Sequence, residues 1–144
     1  MNSTFLLATV SLAFQITVLA LLIVGFMFKQ RRKLRTHGIT MLAALSVHLV
    51  IIAVIMVPSF AVGLLPKIVD KADPVGLFSL FHVAVGASAV ILATWIVGAW
   101  RLRQSTAFCA PKKKLMKYTL ALWLVSLSLG IALYFILNWS FLFG

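Results

Sequence analysis

Three histidines, His37, His48 and His82, are the side chains in this sequence best suited to chemistry. A neutral imidazole can hold a haem iron or a copper ion, carry a proton, or bond a quinone oxygen. Other constellations are missing. With no Glu and both acidic residues, Asp70 and Asp73, in one short segment, paired-carboxylate catalysis and sites built on Glu-x-x-His are excluded. No phosphate-cradling glycine loop and no set of nucleophile, base and acid is legible. No enzyme class is therefore assigned. Cys109 is the single cysteine, which rules out an intramolecular disulfide and reads as an inert thiol in a reducing compartment.

Each histidine belongs to a stripe of polar or small residues recurring at spacings of three and four. The second apolar run carries His37, Met41, Ala44 and His48, and the third carries His82, Gly86, Ala89 and Ala93. The first offers Thr4, Ala8, Ser11, Gln15 and Val18, and the fourth Thr119, Trp123, Ser126, Gly130, Tyr134 and Asn138. Polar groups inside a bilayer face the protein interior, so these stripes are the inner faces of helices.

Four stretches free of charge are each long enough to cross a bilayer: Phe5 to Phe28, Gly38 to Pro66, Pro74 to Trp100 and Tyr118 to Gly144. The chain has 144 residues, of which 63% are hydrophobic and 10% charged, leaving no room for a separate soluble domain. Helices are the only spanning structure for such runs, because hydrocarbon offers no partner to the backbone. Helices are expected near 5–28, 38–65, 74–102 and 115–140. Short links then make an all-α, antiparallel up-down four-helix bundle in the membrane. Thr36 is expected to cap the second helix, and Pro58 to kink it or end its regular part near Val57. Trp100, Tyr118 and Trp139 fall near the expected interfaces.

The net charge of +11 has a simple distribution. Lys29, Arg31, Arg32, Lys33 and Arg35 separate the first two runs, and Arg101, Arg103, Lys112, Lys113, Lys114 and Lys117 separate the last two. The remaining link pairs Lys67 and Lys71 with the two aspartates. Short loops rich in Lys and Arg stay in the cytoplasm, which predicts cytoplasmic loops at 29–37 and 101–117 and both termini outside a cell membrane. Such loops bind anionic headgroups, at about 1 kcal/mol per basic residue, and a nucleic-acid partner is not expected. The first run is read as a retained helix, since its positive charge follows the apolar stretch and does not precede it.

Depth follows from a rise of about 1.5 Å per residue. On that scale Ser11, His82 and Tyr134 form an outer layer, whereas Gln15, Ser126 and His48 lie near the centre and His37 is exposed at the inner interface. Hydrogen bonds from His48 to Gln15 or Ser126, and from His82 to Tyr134, would satisfy the imidazoles. The small residues after His82 either pack closely on a neighbouring helix or form a groove for a flat cofactor such as haem, with His82 as axial ligand. His48 and His82 differ in depth by about 13 Å on this count. One haem held by both is therefore not the simplest arrangement, which leaves a single ligand with another residue or a partner opposite, two sites, or no cofactor.

Three segments resemble a family of small bacterial and archaeal four-helix membrane proteins of largely undefined function, which includes the cytochrome oxidase maturation factor CtaM. They are His37-Gly-Ile-Thr-Met41, Phe81-His82-Val-Ala84, and Lys112-Lys-Lys-Leu-Met-Lys-Tyr118 continuing through Trp123, Gly130 and Tyr134. The similarity runs from about Arg35 to Leu137. Ahead of the last helix, where the family often has a histidine, this chain reads Ala110-Pro111-Lys112. The resemblance implies an accessory role in assembling a haem-copper oxidase, with an oxidase subunit as partner. Haem or copper would be held by His82 with His37 or His48, beside Tyr134 and Gly86. A b-type cytochrome or quinone-linked carrier, and a structural subunit without cofactor, are the other readings of the same stripes.

Overall fold

The computed structural model describes residues 3–66, 74–103 and 113–143. They form four helices: α1, Ser3–Gln30; α2, beginning as Leu34–Ile51; α3, Pro74–Arg103; and α4, Lys113–Phe143. All four are long and apolar enough to cross a bilayer, with mean hydropathies between 2.1 and 2.6, and the chain is a multi-pass membrane protein. Large side chains cover the outside: Val62 is 81% exposed, and Val54 and Ile91 68% each. Hydrocarbon accepts a surface that water would not.

The first hairpin is closed by backbone geometry. Lys33 N–H donates to the Phe28 carbonyl at 3.0 Å and Arg32 N–H to that of Lys29 at 3.1 Å, with Arg32 left-handed at φ 57°. This is the Schellman ending, here without the usual glycine. Its tightness turns the chain back at once, so α2 starts at Leu34, earlier than Gly38. Thr36 consequently lies inside the helix and does not cap it; no side chain caps that end, which Lys33 occupies.

Pro58 does not stop α2, and the regular part ends six residues before Val57. Regular hydrogen bonding ends at Ile51, and π-helical turns at Ile52–Met56 and Phe60–Leu64 flank Val57–Ser59. Proline lacks an N–H and crowds the carbonyl four residues back. Wider turns, with Val57 N–H bonded to the Ile52 carbonyl, absorb the mismatch and let the helix continue.

The helices pack in a ring in chain order, with α1 close on α2, α3 close on α4, and looser seams between the two hairpins. The core holds Val18 and Leu22 of α1, Ala44 and Leu45 of α2, Ala89 and Ala93 of α3, and Trp123 and Leu127 of α4. At the end of the bundle carrying the described basic residues, the Trp100 ring lies across Gly38, and a Cβ there would collide with it. That close approach explains a glycine at the start of an otherwise good helix.

Candidate functional site

The interior polar groups are best followed along α4, from its C-terminal end toward the basic end. Tyr134 Oη lies 3.2 Å from Thr9 Oγ1 of α1. Tyr134 was expected to serve His82; it serves α1 instead. Tyr134→Phe should cost only about 0.6 kcal/mol, the usual worth of one bond between membrane helices, measured by denaturant titration in detergent. A loss several times larger would show a further partner.

One turn deeper, Gln15, His82 and Gly130 meet. A Cβ on Gly130 would fall 2.5 Å from Gln15 Oε1 and 3.1 Å from His82 Cε1, so a bare backbone is what admits both side chains. Gln15 Nε2 donates a long bond of 3.4 Å to Ser11 Oγ. Gln15 therefore belongs to the layer of His82 and Ser11, and not to that of His48. Side chains lean toward the N-terminus of their helix, and α1 and α2 run opposite ways, so the Gln15 amide and the His48 ring lean apart.

His48 lies lower, against Trp123, with ring centroids 5.7 Å apart and planes tilted by 58°. It bonds neither Gln15 nor Ser126. His82 meets α4 between Gly130 and the Ser126 backbone, where it makes a hydrogen bond, and His48 meets that helix at Trp123.

Four buried polar atoms have no partner among the described residues: Gln15 Oε1, His48 Nδ1, His82 Nδ1 and Trp123 Nε1. Each comes from a different helix. They form two pairs, one above the other, and their chemistry differs. Gln15 Oε1 only accepts and Trp123 Nε1 only donates; His82 donates its other ring nitrogen to the Ser126 backbone carbonyl, which leaves its Nδ1 an acceptor, while His48 Nδ1 takes either role according to its tautomer. A guest satisfying the upper pair must donate to the amide, and one at the lower pair must accept from the indole.

The stripe of small residues on α3 is a packing surface. A Cβ on Gly86 would lie 2.9 Å from Ser126 Oγ, and Ala89 and Ala93 are 1% and 2% exposed in the core beside Trp123. The α4 helix fills the groove that haem would need.

His37 sits at the basic end, and it is buried, not exposed at an interface. Its Nδ1 lies 2.7 Å from the Gly25 carbonyl across the first hairpin. It lines a cleft of about 60 Å³ with Met41 of the same helix, Phe26 and Lys29 of α1, Ala93, Ile96 and Val97 of α3, and Met116, Thr119, Leu120 and Trp123 of α4. Met116 and Gly25 escaped the sequence reading, although Met116 extends the α4 stripe by its spacing of three from Thr119. No group of three His, Cys, Asp or Glu gathers among the described residues; Cys109, Asp70, Asp73 and Lys112 lie outside them.

Comparison of the chain with protein-family models, with curated proteins and with solved structures found no match in any of the three.

Proposed function

We propose that the chain is an accessory protein of a respiratory membrane complex that assists assembly of a haem-copper oxidase, with His48 and His82 as its working residues. One observation carries the choice of residues. Both imidazoles are held inside the bundle with a ring nitrogen unpartnered, a cost of about 1–3 kcal/mol per group that packing alone does not require. The oxidase link rests on the resemblance of the His37–Met41, Phe81–Ala84 and Lys112–Tyr134 segments. The closed α3 groove weighs against a b-type cytochrome, and the orphaned nitrogens against a purely structural subunit. Basic residues at one end favour a cytoplasmic orientation of that end against anionic lipid.

Deleting the gene in its own host should lower the amount of assembled oxidase in membranes, read from reduced-minus-oxidised spectra and subunit abundance. Wild-type protein should restore it, and His48→Ala or His82→Ala should not. Normal oxidase after deletion defeats the assembly role. Protein purified from haem-replete cells should show no Soret band; a reducible band lost in His82→Ala would return the cytochrome reading to first place.

A further inference from the structure

The cleft at the basic end holds a set of donors that none of the polar-core chemistry uses. A carbonyl oxygen only accepts, so the 2.7 Å contact with Gly25 fixes the His37 proton on Nδ1 and leaves Nε2 with its lone pair. This is how a backbone carbonyl commonly orients a metal-binding imidazole. Met41 follows one turn later on the same face. A Cβ placed on Gly25 would overlap the Met41 terminal methyl and lie 3.7 Å from His37 Nδ1, so both side chains converge on the one bare backbone position of α1. Met116 enters the same cleft from α4.

We propose that His37, Met41 and Met116 form a binding site for a monovalent soft metal ion, Cu(I), at the basic end of the bundle. Thioether sulfur and imidazole nitrogen are neutral, soft to borderline donors, the combination that selects Cu(I) over harder ions. The surroundings set the charge. Apart from Lys29, the cleft wall is uncharged and mostly apolar, and neutral ligands leave a divalent ion with its full charge in a medium that penalises charge steeply. Lys29 acts in the same direction, because its repulsion of a dication is twice that of a monocation at equal distance. The site occupies a different level from His48 and His82, and it stands or falls independently of the oxidase role.

The test uses the full chain in detergent with Cys109→Ser, since a thiolate would compete for the same ion. Cu(I) is titrated anaerobically against a chromophoric chelator, and the methionine methyl resonances are followed by NMR with Ag(I) as a diamagnetic substitute. One equivalent should bind, with the Met41 and Met116 methyls shifting and Zn(II) failing to compete. Met41→Leu/Met116→Leu conserves volume and should leave the fold intact, while weakening Cu(I) by more than the roughly 10- to 100-fold that loss of a supporting hydrogen bond alone costs. His37→Ala should weaken it similarly, and His48→Ala/His82→Ala should not. Failure to bind, binding indifferent to the two methionines, binding seen only while Cys109 is present, or binding lost in His48→Ala/His82→Ala would each overturn the proposal.

Discussion

Trp123→Ala should destabilise the bundle by about 3–5 kcal/mol, the usual cost of truncating a fully buried large aromatic. Trp123 is 3% exposed, lies against His48 on one side and borders the basic-end cleft on another. What decides the magnitude is whether the void can close. The neighbours on α3 are Ala89 and Ala93, which have no side chain long enough to move into the space, and their helix already packs against α4 through Gly86 and Ser126. The cavity should therefore persist, merging with the cleft. Trp123→Phe keeps most of the aromatic body and removes the unpartnered Nε1, so it should change stability by less than about 1.5 kcal/mol. Denaturant titration of both variants in detergent measures the difference. If alanine cost less than about 1 kcal/mol, the α3–α4 seam would have to relax in a way that close packing forbids.

The four helices were legible because hydrocarbon imposes a run length that few other constraints mimic. Their ends were less so. The expected ends of the first hairpin, at 28 and 38, left out the charged residues, yet α1 continues through Lys29 to Gln30 and α2 takes in Arg35. Long basic side chains carry their charge to the interface while their stems stay in the helix. The stripes were also legible, since Ser11, Gln15, Val18, Ala44, His48, Ala89, Ala93, Thr119, Trp123 and Ser126 are all buried.

Who meets whom within the stripes was not legible from Cα spacing. Side chains on α1 and α3 lean one way along the bundle and those on α2 and α4 the other. Layers counted by residue number put Gln15 with His48, but these two lean apart, and Gln15 meets His82 at Gly130 instead. His48 leans toward the basic end together with Trp123 of the parallel α4, and the two rings meet there. His37 was misplaced for a different reason: its burial depends on the Gly25 carbonyl of another helix, and no pattern within one helix signals that.

The histidines should also respond to apolar replacement with opposite signs. His48→Leu removes a buried nitrogen that has no partner, so this variant should fold and either keep its stability or gain up to about 1–3 kcal/mol, whereas His82→Leu also gives up a hydrogen bond to the Ser126 backbone and should gain less. His37→Leu removes a bond of 2.7 Å to Gly25 and should lose about 1 kcal/mol. Thermal unfolding in detergent gives the signs, and the oxidase content of complemented cells gives the other half of the comparison. A residue whose removal stabilises the fold while abolishing the role is one retained for chemistry, since the energy is lowest without it. If His48→Leu instead cost as much as Trp123→Ala, the imidazole would be a packing element of the aromatic pair, and its free nitrogen would carry no functional meaning.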